Sequence, residues 1–291
     1  MSRTAPDRPV GAHVPVGGGL VKQGLAYAKA VRAEALQVFT SNPRGWALSP
    51  GDPVQDKAFR DACGENGWPV FVHSPYLINL GSPTEATLAK SVDALQHTLE
   101  RAAAIGARGV VVHGGSAVVG ATKEQALQQL GRHLMPLLDA IPEDGPDLLV
   151  EPTAGGGIAL CASVDDLGPY LDAVDRHPRV GVCLDTCHVW AAGHDLRAEG
   201  GVGKTVRRLE KVAGKGRLKL VHANDSRDPL GSSRDRHETL GKGALGADVF
   251  GQLLTEPLLS GIPIVVETPS EPAGKGHARD VRLLKKLRQP A

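Results

Sequence analysis

The chain has 291 residues, of which 41% are hydrophobic and only 3% aromatic, and its formal net charge is +1. A near-neutral charge excludes a uniformly basic surface, although it leaves room for a local basic groove. The length suits a single α/β barrel, whose core would consist mainly of Val, Leu, Ala and Ile.

Short apolar runs alternate with helical patterns along the whole chain. The predicted strands are Val10–Val14, Ala35–Phe39, Val70–His73, Gly109–His113, Leu148–Glu151, Val180–Asp185, Leu218–His222 and Pro263–Glu267. The clearest helix candidates between them are Leu20–Val31, Thr84–Ile105, Lys123–Leu138 and Val164–Val174. The segment from Ser82 to Glu85 is typical of a helix start, and Gly106 is typical of a helix end.

Eight strands separated by helices predict a parallel sheet, most simply a closed (β/α)₈ TIM barrel that residues 1–291 form as one domain. An open doubly wound sheet is the alternative. The first strand is not followed by a G-x-G-x-x-G motif, because Gly17-Gly18-Gly19 is too compact for that dinucleotide-binding loop. We expect short flexible ends at about residues 1–8 and 287–291.

The cysteines and the N-terminus indicate a cytoplasmic protein. Reduced, buried thiols are expected because no Cys-x-x-Cys pair occurs among Cys63, Cys161, Cys183 and Cys187. The first ten residues lack the apolar core of a signal peptide, and no apolar run is long enough to span a membrane. We therefore expect no membrane partner.

An acidic residue or a histidine stands at or just after the end of seven predicted strands. These residues are His13, His73, His113, Glu151, Asp185, His222 and Glu267. From His73 onward the steps between them are 40, 38, 34, 37 and 45 residues, and each step is about one βα unit. Because the carboxyl ends of barrel strands converge on one mouth, these side chains are expected to face one another in an active site.

The stretch from Leu220 to Gly243 adds polar side chains to this mouth. It begins as a buried strand and continues as a loop in which Asp235 and His237 stand two residues apart, so both can turn inward from an extended segment. His188 can join them at the rim. Carboxylates and imidazoles are common zinc ligands, and buried carboxylates that converge without a cation are energetically costly.

Apart from His13, nine such side chains remain; they are too many for one tetrahedral zinc, and they suit two or three metals that share a bridging carboxylate. A single histidine at a strand end is more often a hydrogen-bonded core residue than a ligand. The prediction of a metal site therefore depends on the convergence of these side chains at one mouth. Five histidines on predicted helices or loops stay unassigned: His97, His133, His177, His194 and His277.

Several motifs combine along the chain. They are GAHV at 11–14, FTSNPR at 39–44, HSPYLINL at 73–80, CLDTCH at 183–188, AAGHDL at 191–196 and DRH at 235–237. Together they resemble the endonuclease IV family of apurinic/apyrimidinic endonucleases over nearly the whole chain. The resemblance implies a TIM barrel with three zinc ions per chain, with Mn²⁺ as an alternative at one or more sites.

Carried over by position, the resemblance implies that each metal has its own ligands and that Glu151 bridges two metals. The expected groups are His73, His113 and Glu151; Glu151, Asp185, His222 and Glu267; and His188, Asp235 and His237. The chain departs from the family pattern at Pro152, where Asn is usual, and at Gly114, where Pro is usual. Both departures are expected to change local loop geometry without removing a ligand.

The resemblance also implies the reaction. A monomer would cleave duplex DNA on the 5′ side of an abasic site, leaving a 3′-hydroxyl and a 5′-deoxyribose phosphate, and would also trim blocked 3′ ends. The metals would activate a water molecule, and Glu151 would be the catalytic residue that positions it. Arg44 and Tyr76 match positions that contact DNA at the lesion, and His13 is expected to support the active site.

Two other functions stay open. A xylose-isomerase-like sugar isomerase would use only the group of Glu151, Asp185, His222 and Glu267, and it would leave five ligands without a role. A non-enzymatic protein that binds DNA lesions around a structural metal centre would not explain why so many ligands face an accessible mouth.

Overall fold

The computed structural model describes residues 7–118 and 121–288. Eight parallel strands close into a barrel in which each strand pairs with its neighbours in the sequence and the last pairs with the first. The strands are β1 (Val10–His13), β2 (Leu36–Val38), β3 (Val70–His73), β4 (Gly109–His113), β5 (Asp147–Glu151), β6 (Val180–Asp185), β7 (Leu218–His222) and β8 (Ile264–Val266). The predicted TIM barrel is therefore confirmed, and the open doubly wound sheet is wrong.

Helices follow the strands and pack against the outside of the barrel. The first predicted helix divides into a π-helix, Leu20–Leu25, and α1, Ala26–Ala30. The others are α2 (Pro53–Asn66), α3 (Glu85–Ala104), α4 (Lys123–Asp139), α5 (Leu167–Asp172), α6 (Thr186–Ala191), α7 (Gly201–Ala213), α8 (Ala247–Thr255) and α9 (Lys275–Arg288), with a 3₁₀ turn at Pro257–Leu259. Within the described ranges, no helix is long and apolar enough to cross a membrane.

Local sequence signals set the helix ends. Helix α2 begins where the Asp52 carboxylate accepts hydrogen bonds from the backbone N–H groups of Val54 and Gln55. Helix α4 begins with a reciprocal capping box between Thr122 and Gln125. Helix α3 ends before Gly106, whose φ of 70° is the left-handed conformation that glycine adopts without steric cost.

Alternate residues of each strand point into the barrel and form two layers. The lower layer is an apolar cluster of Ala35, Phe71, Val111, Leu149, Cys183, Leu220 and Val265. Two residues further along the chain from each of these seven stands a polar residue. Together with His13 of β1 these form the upper layer, here called the polar ring: His13, Gln37, His73, His113, Glu151, Asp185, His222 and Glu267. The apolar layer closes the barrel beneath the ring.

Two short antiparallel pairs lie in the loops beyond the strand ends. Asp225–Ser226 pairs with His237–Glu238, which folds the loop after β7 back over the polar ring. Ser116–Ala117 pairs with Ile158–Ala159 and joins the loops after β4 and β5. The first pair brings the Asp235-Arg236-His237 motif to the mouth of the barrel.

The predicted flexible ends fall partly on residues 1–6 and 289–291, which lie outside the described residues. Of the others, Arg8 donates a hydrogen bond to the Glu256 carbonyl at 2.8 Å, and the Ser260 hydroxyl donates to the Asp7 carboxylate at 2.6 Å. The remaining two residues, 287 and 288, belong to α9. These inner parts of the two ends are attached to the barrel.

Glycine at position 11 is required by the approach of two strands. A Cβ atom on Gly11 would lie 1.7 Å from the carbonyl oxygen of Ala35, the residue just before β2. Gly11→Ala should therefore lower the free energy of unfolding by at least about 1–3 kcal/mol, as overpacking does. Gly64→Ala, at an open and exposed position of α2, should instead raise it by about 0.5–1 kcal/mol. Urea unfolding measures both, and a Gly11→Ala protein of unchanged stability would contradict the β1–β2 packing.

Candidate metal centre

The polar ring and the folded-back loop bring all nine predicted ligands into one cluster at the mouth of the barrel. Three overlapping groups have ligand atoms within 4.8 Å of one another: His73, His113 and Glu151; Glu151, Asp185, His222 and Glu267; and Asp185, His188 and His237. Asp235 completes the third group, because its two carboxylate oxygens lie 3.2 Å from His188 Nε2 and 3.0 Å from His237 Nε2.

Glu151 lies at the junction of these groups and is fully buried. Its Oε1 is 3.0 Å from His222 Nδ1 and 3.3 Å from His188 Nδ1. Its Oε2 is 3.4 Å from His73 Nε2 and 3.5 Å from His113 Nε2. The two oxygens therefore face different groups of imidazoles, which is the arrangement that a bridging carboxylate needs.

Asp185 divides its oxygens between the helix that follows it and the cluster. Its Oδ1 accepts hydrogen bonds from the backbone N–H groups of Cys187 and His188 and so caps α6, while Oδ2 lies 3.6 Å from His237 Nε2. Because His188 lies in the first turn of α6, the three-residue spacing from Asp185 returns its side chain to the cluster.

The protonated nitrogen is fixed in four of the five histidines. Each of them has one ring nitrogen beside a carbonyl or amide oxygen, which accepts only, so that nitrogen carries the hydrogen and the other is free to bind a cation. The contacts are His73 Nδ1 to Ser74 O at 2.8 Å, His188 Nδ1 to Pro152 O at 3.1 Å, His237 Nδ1 to Glu267 O at 3.4 Å and His222 Nε2 to Gln37 Oε1 at 2.8 Å.

The remaining polar atoms of the cluster fit divalent cations. Glu151 Oε2, His188 Nε2 and His237 Nε2 are buried and face ionisable groups at 3.0–3.5 Å, but within the described ranges none of them forms a well-directed hydrogen bond. Buried polar atoms are normally hydrogen-bonded, since leaving them unpaired is costly. Carboxylate oxygen and neutral imidazole nitrogen form the donor set that zinc prefers, so the residues present suit this ion.

The charges of the cluster shift the proton affinities of its members. Burial alone would raise the pKa of Glu151, but His222, His113 and His188 hold that pKa well below its usual range. Burial alone would lower the pKa of His237, but Asp185 and Asp235 raise it to about 9. Protons and divalent cations would therefore compete for the same imidazoles, and metal binding would release protons.

The cysteines next to the cluster are poorer ligands. The sulfur of Cys183 lies within 4.8 Å of ligand atoms of Glu151 and His222, and Cys187 is similarly close to Asp235 and His237. Burial raises the pKa of each of the two thiols to about 12, so both stay neutral, whereas metals bind the thiolate. All four cysteines of the chain are free and buried, as predicted.

Two amide side chains in the site were not predicted. Gln37 and Asn224 are both fully buried, and each hydrogen-bonds to a predicted ligand: Gln37 Nε2 to Glu267 Oε1 at 2.6 Å, and Asn224 Nδ2 to Asp185 Oδ2 at 2.7 Å. Amides are uncommon zinc ligands, so a sequence pattern of acidic residues and histidines includes neither of them. The two-residue spacing from the apolar layer would have found Gln37, the one ring member that is neither acidic nor a histidine.

The other carboxylates of the folded-back loop have structural roles. Asp225 is fully buried and accepts hydrogen bonds from the backbone N–H groups of Ser226, Gly241, Gly243 and Leu245. Asp228 forms an ion pair with Arg236. Both contacts hold the loop that carries Asp235 and His237.

Tyr76 and Arg44 lie on the rim. Tyr76 is 46% exposed, and its ring meets those of His73 and Phe39 at centroid distances of 5.3 and 5.5 Å. Its backbone N–H donates to the Pro43 carbonyl at 3.0 Å, which joins the loops after β2 and β3. Arg44 follows Pro43 and is exposed.

Two cavities open at this mouth. One of about 590 Å³ lies over the cluster between Tyr76, His113 and Arg227, and one of about 890 Å³ extends from His237 past His13. His13 also belongs to the polar ring, with its Nδ1 3.3 Å from Glu267 Oε1. Six of the nine predicted ligands therefore line cavities that open at the mouth, and His13 lies beside one of these six, Glu267.

Comparisons with known proteins agree with this geometry. The family model for a xylose isomerase-like TIM barrel matches residues 25–287. The "Probable endonuclease 4" of Streptomyces coelicolor is 53% identical over 99% of this chain and 97% of its own length, and that of Streptomyces avermitilis is 54% identical over 96% and 90%. The solved structure of endonuclease IV from Thermus thermophilus is 32% identical, with a TM-score of 0.81 over 96% of this chain and 98% of that one.

The chain belongs to the endonuclease IV family of apurinic/apyrimidinic endonucleases. The predicted resemblance is thereby confirmed, and the two departures from the endonuclease IV pattern can be placed in the site. A Cβ atom on Gly114 would lie 2.5 Å from Cys161 Cβ, so the loop after β4 needs glycine here. Pro152 still offers its backbone oxygen to His188.

Removal of metal should make the stability of this member of the endonuclease IV family fall with rising pH. Since the pKa of His237 rises from its ordinary 6.5 to about 9 on folding, the folded state binds more protons between these values. The contribution is fully present below about pH 6.5 and is lost toward pH 9, at about 1.4 kcal/mol per pH unit for such a group. Thermal unfolding of chelator-stripped protein measures this, and His237→Gln should flatten the dependence. A midpoint that rises across this window would contradict the assignment.

Proposed function

We propose that this member of the endonuclease IV family cleaves duplex DNA on the 5′ side of abasic sites, leaving a 3′-hydroxyl and a 5′-deoxyribose phosphate. The observation that carries the proposal is the convergence of nine carboxylates and imidazoles in three overlapping groups at an accessible mouth. The names of relatives that span nearly the whole chain support the same activity.

Three divalent cations, zinc with Mn²⁺ as an alternative, are the proposed cofactors. The proposed ligand groups are His73, His113 and Glu151; Glu151, Asp185, His222 and Glu267; and His188, Asp235 and His237. Cations bound there would stabilise charge on the scissile phosphate and activate water as the nucleophile. The pairing of each oxygen of Glu151 with a different set of imidazoles supports its role as the bridge.

The side chains of the chain then have separate tasks. Glu151, held ionised at the bottom of the cluster, positions the attacking water. Asp235 has a 48% exposed side chain and lies at the outer edge of the cluster, where the phosphate backbone would approach. Arg227 lines the cavity beside it with a 49% exposed side chain, which suits an anionic substrate.

Tyr76 and Arg44 are the proposed contacts to the lesion. An abasic site leaves a gap in the base stack, and a planar side chain can fill that gap when the sugar is flipped out. Tyr76 has this shape, packs edge-on against His73 and is followed by Leu77, which is 36% exposed. The joined loops after β2 and β3 hold Tyr76 and Arg44 on the same side of the mouth.

The protein is further proposed to act as a monomer with one catalytic domain. All nine proposed ligands come from a single chain and from one barrel, so the cluster is complete without a second copy. The open cavity above the cluster also suits removal of blocking groups from 3′ ends, which we propose as a second activity of the same site.

A sugar isomerase is disfavoured by the outer ligands. The group of Glu151, Asp185, His222 and Glu267 could serve an isomerase with one metal site. Such an enzyme gives no role to His188, Asp235 and His237, which the folded-back loop and α6 bring together at the rim. A nicking assay on an abasic duplex separates these functions, and it also separates the endonuclease from a protein that only binds lesions.

Glu151→Gln should separate DNA binding from cleavage. The substitution keeps the shape of the side chain but removes one negative charge and one anionic oxygen from the bridge. Single-turnover cleavage of a duplex with one abasic analogue should slow by at least about 10²-fold, roughly 2.7 kcal/mol of transition-state stabilisation. Equilibrium binding of the same duplex should stay near that of the wild type, and near-normal cleavage would show that Glu151 is a structural carboxylate.

Tyr76→Ala and Arg44→Ala should weaken binding to abasic DNA by about 1–3 kcal/mol each, because each removes a group that stacks or inserts at the lesion. Metal content, measured by elemental analysis, should not change. Lys215→Ala is the matched control, since it removes an exposed charge from a helix-to-strand loop at the opposite end of the barrel. Wild-type binding by both rim variants would exclude them as contacts.

A further inference from the structure

We propose that Gln37 is a positioning residue that selects the tautomer of His222 and orients Glu267, so that the cation group of Asp185, His222 and Glu267 is formed before a divalent ion binds. This inference rests on the proposed function, because it requires a divalent ion at that group. The evidence for it is the set of hydrogen bonds that Gln37 forms.

The orientation of the Gln37 amide is set by its neighbour. Gln37 is fully buried, and one end of its amide lies 2.6 Å from Glu267 Oε1. An ionised carboxylate can only accept a hydrogen bond, so the amide nitrogen must face Glu267. The amide oxygen of Gln37 therefore faces His222.

This orientation determines which nitrogen of His222 binds the cation. Gln37 Oε1 lies 2.8 Å from His222 Nε2 and can only accept, so Nε2 must carry a hydrogen. The lone pair of the neutral ring is then on Nδ1, which lies 3.0 Å from Glu151 Oε1 and 3.3 Å from Glu267 Oε2. The ligand atom of His222 is consequently turned toward the carboxylates of its group.

His222 differs from the other histidines of the cluster in depending on a side chain. His73, His188 and His237 place their protonated nitrogens against backbone carbonyls, which a substitution does not remove. His222 is fully buried and uses Gln37, which reaches it across the barrel from β2. Strand β2 contributes no proposed ligand to the cluster. Its member of the polar ring, Gln37, instead fixes the orientation of His222, a ligand from β7.

Glu267 is held from two sides by amides. Gln37 Nε2 binds one carboxylate oxygen at 2.6 Å, and Asn224 Nδ2 lies 3.4 Å from the other. Asn224 also binds Asp185 Oδ2 at 2.7 Å, so the two carboxylates are fixed relative to each other. Neutral amides orient the carboxylates without neutralising them, which leaves their full charge for the cation.

Gln37→Met tests the proposal, because methionine is close to glutamine in size and has neither the amide donor nor the amide acceptor. Zinc-loaded protein is titrated with a chromophoric chelator, and the released zinc is counted. One of the three ions should bind about 10–100-fold more weakly than in the wild type, as is typical when a partner of a metal ligand is lost. The other two should keep their affinities.

Gln129→Met is the matched control. Gln129 is a half-buried glutamine on α4 that donates hydrogen bonds to the Leu80 and Ser82 carbonyls at 2.9 and 2.7 Å, outside the barrel. The same substitution there should leave all three zinc affinities unchanged. A weakened ion in this control as well would assign the effect to general destabilisation and overturn the proposal.

Nitrogen-15 NMR of histidine-labelled, zinc-loaded wild type tests the tautomer even if Gln37→Met does not fold. The His222 signals should show a hydrogen on Nε2 and a cation on Nδ1, and a hydrogen on Nδ1 would overturn the proposal. If the wild type binds zinc and Gln37→Met binds it with the same affinities, the role of Gln37 is overturned, but the proposed function is not. Wild-type protein that binds no zinc would overturn the proposed function and this inference with it.

Discussion

Negative charge enclosed at the top of the barrel is the constraint on which the rest of the site depends. Glu151 and Asp185 are fully buried, and Glu267 and Asp235 lie beside them. Carboxylates removed from water are stable only when cations or protons compensate them. Imidazoles placed among the carboxylates can compensate their charge in either way, because each imidazole can hold a proton or bind a metal cation. The low pKa of Glu151 and the high pKa of His237 both follow from this balance.

The barrel satisfies this constraint with a strand period of two. Seven stretches of sequence place an apolar residue in the lower layer and a polar residue two positions later, and β1 adds His13, so eight separate stretches produce one ring. Outer contacts then set the direction of each ligand: backbone carbonyls orient three histidines, and the amides of Gln37 and Asn224 orient the carboxylates and His222. Asp225 holds the loop that supplies Asp235 and His237.

Most of the fold and the ligand set could be predicted from sequence, because both depend on short periodic patterns. The eight apolar runs mark the strands within a residue or two, and an acidic residue or a histidine at or next to the end of seven runs marks the ring. The same spacing also marks Gln37, but no sequence pattern marks Asn224, and only the structure shows which ligands these two amides touch across the barrel. Likewise, no local pattern distinguished Asp225, which orders a loop, from Asp235, which faces the cluster.

The three-cation centre can be tested with crystals grown from protein purified without chelator and measured at the zinc absorption edge. Three anomalous peaks per chain are expected, one in each ligand group, with Glu151 between the first two. Zinc-binding geometry should place Nδ1 of His222 and Nε2 of His188 nearest to their peaks. A single peak in fully active protein, or peaks away from these groups, would contradict the account.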